Sequence, residues 1–407
     1  MTDRDRSLPR PSTRAAPLAA RRNAKMARSL ATYIRGSTKD FYHWLSHPPV
    51  PVPSGPPIWI CGDCHVGNFG PIAARDDEIQ IQIRDFDQTT IGNPAHDLIR
   101  LGLSLAADAA TSDLSGVTTA YMLQHLLEAY ATGLTRRAKA RKADSPKSLR
   151  KVLRVAANRS WKQLCKDRIN GSQNTIPLGK WFWPISRAER DEIARLVASE
   201  EMNSLVTCLR DRESGAKLDL LDAAYWVKGC SSLGRLRYAV LLAVKDKSAK
   251  SPDYCLIDIK QAIQSAAPVS GRQRLPKNAA ERVVQGARHL SPAIGERMKH
   301  GHMFGRQVFL RELRPQDLKP KIPRLSPREV LGLAGFLAQV LADAHGAQMQ
   351  PSARRAWKRK VIAHSSRRGP PSWLWENVVG LMALHQRSYL EHCGRLRRSL
   401  EARALRT

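Results

Sequence analysis

The stretch from Trp59 to Leu101 constrains this chain more than any other. It reads WICGDCHVGNFG and then, after a short polar insert, EIQIQIRDFDQTTIGNPAHDLIRL. Ile79, Ile81 and Ile83 alternate with polar residues, the period of a half-buried strand whose next residues leave the sheet as a loop. That strand ends on Asp85 and Asp87, and an earlier apolar segment, Trp59 and Ile60, leads into Asp63, His65 and Asn68. Two strands that end in this way deliver polar side chains to one edge. Asp63, Asn68 and Asp85 are hard oxygen ligands or bases, which suit magnesium and phosphate better than zinc.

The pair GDxHxxN and DFD, followed by GxPxxDL, resembles the catalytic core of the aminoglycoside phosphotransferase and choline kinase group within the protein-kinase-like fold. The whole chain is similar to the bacterial DUF2252 family, through Arg35-Gly36, the GDxHxxNFG run and a later glycine loop. The resemblance implies an α+β, two-lobed fold that uses ATP and magnesium. It makes Asp63 the base, His65 a brace for its loop, Asn68 and Asp85 the magnesium ligands with Asp87 as an assisting acid, and Asp97 a structural aspartate. Any one of these residues alone also suits a cap or turn; their shared order is what points to chemistry. Cys61-Gly-Asp-Cys64-His65 also reads as CxxCH, the attachment sequence of c-type haem, but that chemistry requires export to an oxidising compartment and the N-terminus shows no signal for it.

A second constellation begins at Ala223. AAYWVKGCSSLGRLRYAVLLAV, a charged turn and YCLIDIK give strand, glycine-flanked turn, strand, turn and strand, ending on Lys260. This is the order of a kinase-like small lobe. Gly229 and Gly234 let backbone approach a nucleotide's phosphates while Ser231, Ser232 and nearby N–H groups donate to them, and Lys260 adds a point charge. Leu256, Asp258 and Lys260 share one strand face, so Lys260 is expected to reach Asp85, at salt-bridge distance in a closed cleft and within about 10 Å in an open one. Glu281, the one acid between Lys260 and Gly295, is the expected partner of that lysine. The motif order departs from the phosphotransferases, because the acids precede the glycines and Lys260; a circular permutation, broken between the helix ending at His345 and the strand at Ile58, accounts for it.

The remainder follows from composition and period. Residues 1–24 carry no apolar period and read as a flexible basic tail. Residues 25–220 read as a large helical lobe with the catalytic and metal loops, 221–322 as a small β-rich lobe, and 323–407 as C-terminal helices on the large lobe. Helices are expected around the break at Arg35-Gly36, over 95–110 and 114–134, and after Ser326, where Pro327 and Glu329 complete a capping box. The last segment reads as a basic linker and one long helix. Lys and Arg outnumber Asp and Glu by 67 to 36, with clusters at 136–168 (13 Lys or Arg against two Asp) and 354–368 (seven against none). Such a charge attracts polyanions, so a degenerate kinase-like scaffold binding nucleic acid is the alternative to a phosphotransferase with an unidentified hydroxyl acceptor, transferring phosphate or AMP. Seven scattered cysteines and no apolar run of about 20 residues point to a cytoplasmic protein without a transmembrane segment.

Overall fold

Alternating apolar residues build the sheet that carries the second constellation. The computed structural model describes residues 8–73, 78–112, 114–135, 150, 153–155, 175–208, 212–213, 215–230, 232–245, 253–314, 326–363 and 372–404. Strands β5 (Phe182–Trp183), β6 (Lys217–Trp226), β7 (Arg237–Lys245), β8 (Asp253–Gln261), β9 (Met298–Met303) and β10 (Arg306–Leu313) form a six-stranded antiparallel sheet in the order β5-β6-β7-β8-β10-β9. Val240 and Leu242 of β7, Ile257 and Ile259 of β8 and Leu310 of β10 point to one face, where they pack with Ile193, Met202 and Leu205 of helices α6 (Arg187–Val197) and α7 (Glu200–Val206). Lys260 therefore lies on the opposite face, as strand alternation requires.

The helical part is organised by α4 (Pro94–Ala110), which starts with Asn93 as its cap, accepting the Ala95 N–H, and with Pro94 in the first turn. This helix is apolar almost all round and is accordingly buried. Around it pack α2 (Leu30–Gly36), α3 (Thr38–Leu45), α5 (Gly116–Gly133), α10 (Pro327–Gly346), α11 (Pro351–Ala363) and α12 (Trp373–Ala404), in one core that also includes the two-stranded pairs β1 (Ile58–Ile60) with β4 (Thr90–Gly92) and β2 (Phe69–Ala73) with β3 (Ile79–Ile83). Helix α8 (Ala279–Leu290), continued by the single turn α9 (Pro292–Gly295), joins β8 to β9 and shares that core through Val283, Val284 and Ala287. The capping box expected at Ser326 and Glu329 forms. The fold is α+β.

Two expectations are corrected. The basic tail is ordered from Leu8 onward, and Ala15–Met26 forms helix α1. Leu18 enters the core behind the sheet, and Arg14 is buried against Glu189, with Nη1–Oε1 at 2.7 Å and Nη2–Oε2 at 3.1 Å. A single apolar anchor and one buried ion pair leave no period to read, which is why composition suggested a tail. The stretch expected as a basic linker is helical over Pro351–Ala363, held by buried Trp357 and Val361. Residues 136–149, 151–152, 156–168 and 364–368 of the two basic clusters lie outside the described residues. Among the described residues no helix is long and apolar enough to cross a membrane.

Glu189 also accepts from the Tyr238 hydroxyl (2.8 Å) and the Ser186 N–H (2.8 Å). Burial works to raise its carboxyl, but these bonds and the Arg14 charge outweigh it and hold the group below its ordinary value of 4.5. Removing one partner of a buried pair leaves the other uncompensated, so Glu189→Ala is expected to cost about 3 kcal/mol at neutral pH. A depressed carboxylate contributes stability above its unfolded pKa and loses it as pH falls through the folded one. Denaturant titrations of wild type and Glu189→Ala should therefore converge as pH falls below 4.5 and stay apart above it.

Candidate functional site

The GDxHxxN loop between β1 and β2 is shaped by Asp97. From the first turn of α4, its carboxylate accepts the N–H of Cys61 (2.7 Å) and of Gly62 (2.9 Å). His345 Nε2 lies 3.2 Å from the same carboxylate, His345 Nδ1 lies 2.9 Å from the Tyr130 hydroxyl, and Trp357 Nε1 donates to that hydroxyl at 3.0 Å. One proton arrangement satisfies the whole chain: indole to phenol, phenol to Nδ1, Nε2–H to carboxylate. Gly62 has φ +74°, and a Cβ there would stand 2.0 Å from the Gln88 carbonyl oxygen, so the turn requires glycine. Tyr42 closes it by donating to the Gly62 carbonyl at 2.7 Å.

Held this way, Asp63 sits at the loop's edge with its side chain mostly covered. Its Oδ1 accepts from Arg100 Nε at 2.8 Å, and its Oδ2 lies 4.0 Å from His65 Nε2. Burial raises the Asp63 carboxyl above its ordinary value, against the lowering charge of Arg100. The His65 ring lies against Gly67, where a Cβ would come within 2.7 Å of it. Asn68 Nδ2 donates to the Asp63 carbonyl at 2.7 Å, which orients the amide. Cys61 and Cys64 are both fully buried, so the CxxCH run presents no surface thiols.

The loop after β3 meets the sheet through Lys260. Its ammonium lies 3.5 Å from Asp85 Oδ1 and 2.5 Å from Asp87 Oδ2. The lysine side chain is 6% exposed, Asp87 12% and Asp85 47%, so Asp85 alone of the three opens widely to solvent. Burial works to raise Asp85, but Lys260 and then Arg237 outweigh it and hold its carboxyl well below the carboxylate range. Asp87 moves the other way, to about 6, through burial and the adjacent Asp85 charge. Asp87 Oδ1 is buried without a hydrogen-bond partner among the described residues.

The glycine turn lies beside Arg237, whose Nη1 would stand 3.8 Å from a Cβ at Gly229. Gly229 and Gly234 have φ +96° and +95°, and the Ser232 hydroxyl donates to the Lys228 carbonyl at 3.3 Å; Ser231 lies outside the described residues. Lys25 of α1 donates to the Gly229 carbonyl at 2.7 Å. Lys228, stacked over Trp226 at 4.0 Å, is held well below its ordinary value by burial and by the neighbouring Arg237, despite Asp258. Arg237 is itself paired with Asp258 at 2.5 Å.

Glu281 is not brought to Lys260. It accepts from Gln285 Nε2 at 3.0 Å, one turn along α8, while Asp85 and Asp87 neutralise the lysine. The next residue does reach the metal-type loop: Arg282 donates to the carbonyls of Thr89 and, at 2.9 Å, Asp87, and to that of Ile263 at 2.8 Å. Gly286 brings α8 close enough that a Cβ would lie 2.3 Å from Thr89. Arg282 and Arg100 are the residues that sequence reasoning passes over. Arg100 had a signal, since it follows Asp97 by one helical turn on the same face.

A family model described as an uncharacterized protein conserved in bacteria, DUF2252, matches residues 14–395. The chain belongs to the DUF2252 family. The match spans the Asp63 loop, the Asp85 loop, the glycine turn and Lys260, so the site of this DUF2252 protein lies wholly within the family's extent. No curated protein and no solved structure matches the chain.

Because the Asp97 carboxylate holds two loop N–H groups, Asp97→Asn puts an amide donor against one of them. It is expected to lower unfolding free energy by about 2–3 kcal/mol and to speed amide hydrogen exchange at Cys61 and Gly62. Unchanged stability would remove Asp97 from this role.

Proposed function

We propose that this protein is an ATP- and magnesium-dependent phosphotransferase with a protein-kinase-like, circularly permuted architecture, acting on a hydroxyl acceptor. The observation that carries the reading is the meeting of Lys260, from the end of the second strand after the glycine turn, with Asp85 and Asp87 from a loop 175 residues earlier than the lysine in the case of Asp85. A sheet in which β6, β7 and β8 run consecutively, with the glycine turn between the first two and the lysine on the third, supports the same reading.

The residues fit magnesium. Asp85 is half open, Asp87 keeps a buried oxygen without a hydrogen-bond partner among the described residues, and Asn68, whose amide nitrogen donates to the Asp63 carbonyl, would offer its Oδ1. Among the described residues no three His, Cys, Asp or Glu side chains converge on one point, so the set is two carboxylates and an amide. Magnesium ordinarily takes one or two carboxylates and completes its shell with water and substrate phosphate. Bound there, the ion would supply charge neutralisation at the nucleotide's phosphates. Lys260, released from Asp87, would hold a phosphate oxygen, and the glycine turn would bring backbone N–H groups over it. Asp63, raised by burial, would orient the acceptor hydroxyl and take its proton, with Arg100 and His65 setting its direction. Transfer of AMP uses the same groups.

The polyanion-scaffold reading keeps the outward basic face of α11, with exposed Arg355, Arg359 and Lys360, but has no use for Asp63, Asp85 and Asp87 together. Isothermal titration of Mg-ATP decides between them. Binding in the range of about 1 μM to 1 mM, weakened at least about tenfold by Lys260→Met and by Asp85→Asn, is the expected result. Absence of binding, or binding indifferent to both substitutions, contradicts the phosphotransferase; steep salt dependence of nucleic-acid affinity in its place would favour the scaffold.

A further inference from the structure

Beside the Asp63 loop, and apart from the Lys260 cluster, a cleft of about 550 Å³ opens between α3, the first turn of α4 and the segment that follows β8. That volume lies in the range of about 300–1,000 Å³ usual for small-molecule sites. Lys39 and His43, one helical turn apart on α3, stand on its edge with exposed side chains; Tyr42 and His96 line it, and Ala266 and Pro268 form the far wall. Among the described residues no carboxylate lines it.

Three observations give the cleft a chemical preference. The His96 ring stands edge-on to Tyr42 at 5.9 Å, and its Nδ1 is buried without a hydrogen-bond partner among the described residues, a state that is unfavourable unless a ligand supplies the partner. Burial holds His96 below its ordinary value, against the charge of Asp97. His96 also belongs to the first turn of a long, buried helix, whose dipole favours negative charge at that end. Lys39 adds a full positive charge at the rim. The far wall is held in place: the Ala266 N–H donates to Gln88 Oε1 at 2.7 Å and the Ser265 hydroxyl to the Gln88 carbonyl at 2.6 Å. A ligand therefore meets a preformed surface.

The cleft is joined to the GDxHxxN loop through its own lining. Tyr42 donates to the carbonyl of Gly62, the residue before Asp63, and Arg100, which donates to the Asp63 carboxylate, also donates to the hydroxyl of Thr38 at the start of α3 at 3.4 Å. We infer that this cleft binds a small anionic molecule, a phosphate monoester or a carboxylate, through Lys39, His43 and His96. Its place as the acceptor's site rests on the phosphotransferase reading; the binding itself does not.

Calorimetric titration of the full chain with inorganic phosphate and, separately, with succinate tests this and distinguishes the two anion types. At least one is expected to bind at millimolar concentration or below. Lys39→Glu, an exposed change, is expected to weaken that binding at least about tenfold, while Arg355→Glu, the same charge change on α11, leaves it within about twofold. No binding of either anion, equal binding by wild type and Lys39→Glu, or equal loss in Arg355→Glu would overturn the inference. Failure of Mg-ATP to bind removes the acceptor role and leaves these titrations unaffected.

Discussion

The contact of the Lys260 ammonium with Asp85 and Asp87 joins the two halves of this protein. One partner ends a strand of the six-stranded sheet; the others sit in a loop that the helical part supports. Neither side could keep its charge buried alone, because an isolated ion removed from water costs several kcal/mol or more. Two acids against one lysine leave an excess negative charge, which is why the carboxylates separate in behaviour, Asp85 held down and Asp87 pushed up. A cluster so arranged has a deficit that a divalent cation would correct.

Much of the surrounding structure holds backbone so that this contact can form. Arg282 grips the carbonyls of Asp87 and Thr89, Asp97 grips the N–H groups that precede Asp63, and Arg100 turns the Asp63 carboxylate while also donating to the Ile34 carbonyl at 2.6 Å. Helix α1 spans the same junction from outside. Arg14 and Leu18 anchor it to the sheet, Lys25 touches the glycine turn, and the Tyr389 hydroxyl of α12 donates to the Ala27 carbonyl at 3.1 Å just past its end. Buried arginines spread their charge over several carbonyls here, as a planar five-donor group can.

What was legible in the sequence was local. Ile79, Ile81 and Ile83 announce a strand, and the alternation of YCLIDIK aims Lys260 away from Ile257 and Ile259, as the structure has it. The capping signal at Ser326 works within a few residues of chain. Partnerships across long separations were not legible. Glu281 looked like the mate of Lys260 because it was the available acid, yet the stripe of Ala280, Val283, Val284 and Ala287 sets the rotation of α8 and turns Arg282 inward. A charged helical residue ordinarily reads as solvent-facing, so its burial has no local signature. Helix α1 escaped notice for the same reason: the partner of Arg14 stands 175 residues away.

The central claim is that nucleotide phosphates take the place of the carboxylates at Lys260. Labelling with an ATP acyl-phosphate, which acylates an amine adjacent to the phosphate chain, followed by peptide mass spectrometry, tests it most directly. The account predicts that Lys260 is the principal labelled lysine and that unmodified Mg-ATP in excess protects it. Label spread over surface lysines with Lys260 unmodified, or labelling of Lys260 that excess Mg-ATP leaves unchanged, would contradict it.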